Sequence, residues 1–394
     1  HNDHTAIPAP QNLIGRNTGL LATDLASMSG KAVFSVVDNA TNTVNASFTL
    51  DFSSLGAAAT IDDVMTAING GLGGALTASL NNGVMSLSAA SGFGVVVAPD
   101  PTTPAMRSGH SFAQFFGLND LITLGSIQSI SQSGLTGGQA HGFLPGGTIE
   151  LEIRNRNDLL LATKTVAIGA TTTFDDLIIQ MNDASTNASP GHYMSFAIDG
   201  QGTLAGTANT SFPDACLHIV NDDTDRGGTG VSFSQLFGLG SRYPAQAALE
   251  VDVVERITTD SNMLSLARYD VTTVVGDKAV GPGEQSGALA IGDLITGNVA
   301  IPAAGNLPKV MTSLTNYLSL IVNDSAQVAN QAQSNAKMHE NLLSGAKERL
   351  NNSTAVNIDE EMSNMIIFQN SYAASARLLK TANEMYSTLI DMIQ

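Results

Sequence analysis

Asp214, Cys216 and His218 set a carboxylate, a thiol and an imidazole along one short run, DACLH. Side chains two positions apart share a strand face, so Cys216 and His218 have the residue types of a cysteine nucleophile with a histidine base. That chemistry also needs a group to orient the base and donors for a developing oxyanion. The sequence offers neither, and the expectation for DACLH is a strand with a buried cysteine. Asn221, Asp223 and Asp225 have the spacing of the first ligands of a calcium loop. Arg226 stands where that loop needs glycine, and Ser232 where it needs a bidentate glutamate, so an acidic turn is expected instead.

His1 and His4 are spaced like helical metal ligands but sit beside prolines with no third ligand in view. His110, His141, His192 and His339 form no spaced cluster. The glycine-rich runs at 70–74 and 281–287 lack the Lys-Ser/Thr of a phosphate loop and read as turns. No catalytic constellation emerges. The expectation is a protein without enzymatic activity, metal or cofactor.

Composition narrows the partners. Only 13% of the 394 residues are charged, and 17 Lys and Arg against 35 Asp and Glu leave a formal net charge of -18. A polyanion would be repelled, so nucleic acid is not an expected partner. No apolar run approaches the roughly 20 residues of a bilayer span. No charged-then-apolar leader precedes a cleavage site, so neither membrane insertion nor ordinary secretion is expected. The single cysteine rules out an intrachain disulfide, which fits a cytosolic chain or one exported unfolded. The abrupt opening HNDHTAIPAP, without an initiator Met, reads as the continuation of an upstream segment.

The elements that would position a site follow a repeated order. Residues 1–20, with Pro8, Pro10, Gly15 and Gly19, read as an extended connector. Residues 31–52 alternate Val and Phe with small polar residues around Asp38-Asn39, a hairpin pattern. A capped short helix starts at Thr60, and strands are expected at 76–80, 84–89 and 94–98. The order then recurs: paired strands over 147–168 and a second helix start at Thr173. SFAQFFGL at 111–118 returns as SFSQLFGL at 232–239. Two copies of one β-rich unit are expected, each closed by a helical turn whose Phe and Leu side chains anchor it on the core.

The expected division is a connector at 1–20, a first β-rich unit at 21–120, a linker at 121–146 and a second β-rich unit at 147–243. A return segment follows at 244–305, with a strand over 248–256, a short helix near 261–269 and a further short apolar segment over 288–295. A helical stem at 306–394 ends the chain. Its first helix starts near Asn306, with Pro308 in the first turn, and breaks at Asn351-Asn352-Ser353. Its second starts at Asn357, which can cap with Glu360, while Asp359, Glu360 and Glu361 suit the positive end of the helix dipole. The fold class is α+β and multidomain, with long C-terminal helices as a stem and two β-rich outer units of similar organisation.

The last helix carries a seam. From Met365, the positions Gln369, Tyr372, Ala376, Leu379, Asn383, Tyr386, Ile390 and Ile393 follow at alternating steps of four and three, the repeat that keeps one stripe facing a partner helix. At about 1.5 Å per residue the helix is longer than a small domain is wide, so a partner outside its own domain is expected. A terminal helix docked on the chain's own core is the alternative.

VNIDEE at 356–361, FQNSYAA at 368–374 and TANEM at 381–385 are similar to the C-terminal signature of the bacterial flagellar axial proteins, with a pattern nearest the hook-associated members. Rod and hook versions usually carry other residues at Glu361-Met362 and Phe368. The helix over 306–350 agrees in character, 254–267 agrees weakly, and the β-rich middle is where such proteins vary. The family also has a long N-terminal helical region, which would precede residue 1.

The resemblance implies a structural role: subunits stack around an axis and connect curved hook to straight filament, with the outer units facing solvent. It implies self-association and contact with neighbouring axial proteins, the hook protein and a second junction protein among them. It further implies export without a cleavable signal to the flagellum, and a cytoplasmic chaperone on the C-terminal helix before assembly. The implied interface is Met365, Phe368, Gln369, Tyr372, Ala376, Leu379, Asn383, Tyr386, Ile390 and Ile393. Other readings stay open: a rod, hook or flagellin-like axial protein, a secreted adhesin that binds through its β units with the helices as a stalk, or a hydrolase at Cys216.

Overall fold

The computed structural model describes residues 4–123, 132–169, 173–239, 250–301, 307–354 and 357–392. The chain divides into two compact units, His1–Asp293 and Leu294–Gln394.

The first unit opens with a repeat made of β1 (Asn12–Asn17), β2 (Lys31–Asp38), β3 (Thr43–Asp51), α1 (Ile61–Gly71), β4 (Leu76–Asn81), β5 (Val84–Ala89) and β6 (Phe93–Pro99). It closes through the short pair β7 (Met106–Arg107) and β8 (His110–Ser111), then α2 (Phe112–Phe116) and β9 (Ile122–Thr123). Two antiparallel sheets result, in the orders β3-β2-β6 and β1-β5-β4. β1 lies in the stretch read as a connector, and Leu13 at its centre is buried. Thr60 starts α1 through a capping box: its hydroxyl accepts from Asp63 N, and the Asp63 carboxylate accepts from Thr60 N at 2.8 Å. Ile61, Val64, Met65 and Ile68 recur at helical spacing and form the buried face of α1.

The second repeat retains this order. It comprises β10 (Thr148–Arg154), β11 (Leu160–Ala167), α3 (Phe174–Met181), β12 (Met194–Ile198), β13 (Leu204–Ala208), β14 (Cys216–Asp222) and α4 (Phe233–Phe237). The sheet β11-β10-β14 reproduces β3-β2-β6, and the pair β12-β13 reproduces β4-β5. Thr173 and Asp176 repeat the capping box. The echoed motifs are α2 and α4, each capped by a hydroxyl, Ser111 or Ser232, and ended by a glycine in the left-handed region, Gly117 at φ 69° and Gly238 at φ 65°. Phe112, Phe115 and Phe116 in α2, and Phe233, Leu236 and Phe237 in α4, are buried. One apolar core runs through both repeats without interruption. The stretch read as a linker contributes Leu135 and Phe143 to it.

After the repeats, β15 (Asp252–Val253) pairs with β9, and α5 (Glu255–Thr259) takes residues expected to extend a strand. Only a 3-10 turn, Ser261–Met263, forms where a helix over 261–269 is expected. Residues 267–279 then return across the outer face of β3-β2-β6. Val33, Val37, Val44, Val96 and Ala98 pack there with Ala9, Tyr269 and Ala279 in a second core. Ser35 Oγ donates to Tyr269 Oη at 2.8 Å. This cover explains why KAVFSVVD is buried on both faces of β2 and loses strand alternation. The incoming and returning chains meet where Thr5 N donates to Ala267 O at 2.8 Å and Ala267 N to Thr5 O at 3.2 Å. α6 (Ser286–Thr296) spans the apolar segment expected over 288–295.

The second unit holds the antiparallel pair β16 (Val299–Ile301) and β17 (Val310–Thr312), then α7 (Leu314–Thr354) and α8 (Ile358–Asp391). The expected helix start at Asn306 lies outside the described residues. Pro308 is followed by a strand rather than lying in a first helical turn, because Val310, Met311 and Thr312 pair with β16. Asn351, Asn352 and Ser353 lie within α7 and do not break it. Among the described residues no helix is long and apolar enough to cross a membrane.

Candidate assembly surface

α8 begins at Asn357, whose side chain accepts from Asp359 N at 3.2 Å. The capping bond therefore runs to the second helical residue and does not include Glu360. Asp359, Glu360 and Glu361 occupy the first turn, where the helix dipole favours negative charge. Thirty-four residues extend the helix over roughly 50 Å at about 1.5 Å per residue. Lys380 and Glu384 pair across one turn at 3.9 Å, a fully solvated contact of little energetic weight.

Every described residue of α8 is exposed. Met365, Phe368, Gln369, Tyr372, Ala376, Leu379, Asn383, Tyr386 and Ile390 all lie on it; Ile393 falls outside the described residues. Tyr372 is 79% exposed, Leu379 73% and Tyr386 70%. The four-three spacing places these side chains along one stripe, drifting by about 20° per heptad on a straight helix. Phe368, 73% exposed, flanks that stripe. Apolar side chains outside it are open as well, among them Ile366, Ile367, Leu378, Met385 and Leu389. α7 is exposed along almost its whole length too, with Tyr317, Asp324 and Gly345 half-buried. Contiguous apolar exposure on this scale makes the helix a candidate interaction surface.

The chemically capable residues do not assemble into a reactive site. Cys216 and His218 lie on the open face of β14, and the cysteine is exposed, contrary to the expectation of a buried thiol. The reason lies in the register: Leu217 and Ile219 face the core, and the alternate residues Cys216 and His218 face solvent. The Cys216 thiol donates to Asp214 O at 3.6 Å. Asp223 accepts from Thr148 N at the start of β10 and Asp225 from Gly230 N within its own loop, so both carboxylates hold backbone. Among the described residues no group of three His, Cys, Asp or Glu side chains could hold a metal ion. A cleft of about 460 Å³ lies between β1, β9 and α5. Its two arginines point into backbone carbonyls, Arg16 to Phe115 O at 3.2 Å and Arg256 to Asp120 O at 2.7 Å.

Three buried charges escaped the sequence reading. Arg107 and Arg226 are fully buried, and Asp24 accepts from both terminal nitrogens of Arg226 at 2.7 and 2.8 Å. Burial pulls the Arg107 guanidinium down to about 10; Asp24 opposes that shift and Arg226 adds to it. The available signal was an arginine a few residues before each echoed SF motif, Arg107 before Ser111 and Arg226 before Ser232.

Residues 350–392 match the family described as flagellar basal body rod FlgEFG protein C-terminal. Over 172 residues the chain is 28% identical to the flagellar hook-associated protein 1 of Bacillus subtilis (strain 168), a match covering 43% of this chain. The matched stretch spans 31% of that relative's length. Both similarities fall among structural proteins of the flagellum, and neither is to an enzyme family.

Proposed function

We propose, from the premise that its C-terminal segment is of the flagellar rod and hook family, that this protein is an axial component at the hook–filament junction. Its terminal helices stack with those of other copies and of neighbouring axial proteins, the hook protein and a second junction protein. The β-rich units face outward. Before assembly a cytoplasmic chaperone covers α8, and the chain leaves the cell unfolded.

The observation that carries this reading is the unbroken exposure of the α8 stripe. Burying Met365, Tyr372, Leu379, Tyr386 and Ile390 against partners is worth roughly 8–15 kcal/mol gross, at about 1.5–3 kcal/mol per large apolar side chain. Association alone costs about 4–15 kcal/mol. A single pairing is therefore marginal, whereas a helix contacting several neighbours in a stacked array is secure. Gln369 and Asn383 within the stripe fix its register at some expense of stability.

The test is Leu379→Asp combined with Tyr386→Asp in the complete protein. Filaments are expected to detach from the hook and chaperone binding to be lost. Normal filament attachment with unchanged chaperone binding would falsify the proposal.

A further inference from the structure

Arg107 precedes α2 and Arg226 precedes α4, so the two buried arginines hold the same place in the two repeats. Each donates to its own repeat's approach to the central strand of its sheet, β2 or β10: Arg107 Nη1 to Ala26 O, and Arg226 Nε to His141 O at 2.8 Å. Each also crosses to the other repeat's approach. Arg107 Nε and Nη2 donate to Ser133 O at 3.1 and 2.9 Å, and Arg226 Nη1 donates to Gly19 O at 2.5 Å.

The two approach segments are built alike. Thr18 N and Oγ1 donate to Gly83 O, and Ser133 N and Oγ donate to Gly202 O. Gly19 and Gly134 follow at φ 63° and 68°. A second crossed pair is also reciprocal: Asn17 Nδ2 donates to Thr229 O at 2.7 Å, while Gln132 Oε1 and His110 Nε2 lie 3.1 Å apart. Each repeat thus reaches the other through the same segments, with the arginine's acceptor shifted by one position, Ser133 O against Gly19 O, and this near-reciprocity is the signature of an isologous contact.

One departure changes the charge. Asp24 and Gln139 are equivalent, since Asp24 N donates to Leu21 O and Gln139 N to Thr136 O, while Ile61 N donates to Asp24 O and Phe174 N to Gln139 O. Asp24 neutralises Arg226. Gln139 has a buried amide whose oxygen and nitrogen have no hydrogen bond among the described residues, and Arg107 has carbonyl partners but no carboxylate in ion-pair range.

We propose that the repeats meet as an internal dimer about a pseudo-twofold axis, with position 139 the vacant counterpart of Asp24. An acid at either position serves the shared arginine pair, and the surface so built fits a second copy of the repeat. Arg107, Arg226 and Asp24 are then positioning residues that hold the two repeats as one body.

The test uses the whole chain, with the unfolding midpoint of the β-rich unit read by calorimetry. Asp24→Asn is expected to lower the midpoint by about 5 °C or more. Adding Gln139→Asp to that variant is expected to recover at least half of the loss. An unchanged midpoint in Asp24→Asn, or no recovery in the double variant, overturns the proposal. If Asp24→Asn does not fold, Gln139→Asp alone decides. It is expected to raise the midpoint by about 2–4 °C at neutral pH, with the gain fading as pH falls through the carboxylate range. A lowered midpoint at neutral pH overturns the proposal.

Discussion

Replacing Phe233 with alanine tests whether the two repeats share one core or merely adjoin. Phe233 is fully buried at the start of α4; its ring lies 5.0 Å from Phe237 and 5.9 Å from Phe143, centroid to centroid. Truncating a buried phenylalanine costs about 3–5 kcal/mol, from lost transfer energy and the cavity left behind. Phe143 comes from the stretch between the repeats, and Phe174, which packs on Phe237 at 5.6 Å, from α3. The cavity therefore opens at the meeting point of several elements. Because one cluster runs through both repeats, the cost should be felt by the first repeat as well. Amides opening only by global unfolding should exchange roughly 10²- to 10³-fold faster, at about 1.4 kcal/mol per factor of ten. Native-state hydrogen exchange by mass spectrometry should show this acceleration in peptides covering β6 as well as β10. If β10 accelerates while β6 keeps its original rates, the repeats unfold independently and the single-core reasoning is wrong.

The capping boxes predict an acid dependence. Hydrogen bonds from Thr60 hold Asp63, and those from Thr173 hold Asp176, below the usual carboxylate range. A depressed folded-state value contributes stability above the unfolded-state value, lost as pH falls through the folded one, so amides of α1 and α3 should lose protection in acid. Asp63→Asn should flatten that dependence in α1 and leave α3 unaltered. Thr60→Ala should cost about 0.5–2 kcal/mol in urea unfolding, by removing the cap. Gly83→Ala should cost more than about 1 kcal/mol, since the residue sits at φ 77° and an added Cβ would meet Asn17 Oδ1 and Gly19 N. Cys216 should react with a thiol reagent in the folded protein about as fast as in urea; strong native-state protection would contradict its exposed place on β14.

Particular elements show how far the sequence reaches. The helix starts at Thr60, Thr173 and Asn357, the strands β2 to β6 and the closing turns at Ser111 and Ser232 all emerge where the residue pattern places them. Each rests on bonds within a few residues or on a single alternation period. The misreadings are of another kind. The β16–β17 pair draws residues 310–312 out of an expected helix, through partners at 299–301 that lie beyond the reach of helical spacing. α5 replaces the end of an expected strand at Glu255, just after β15 has paired with the distant β9.

By itself the sequence determined the repeated order of elements, the caps and the apolar stripe from Met365 to Ile390, because these depend on spacing along one chain segment. Only the tertiary structure decided that 267–279 would cover β2, that Cys216 would face solvent, and that Asp24 would meet Arg226 from the far side of the unit. Those outcomes depend on which surfaces remain to be buried once both repeats have formed, and on desolvated charges that are tolerable only when a partner arrives from elsewhere in the chain.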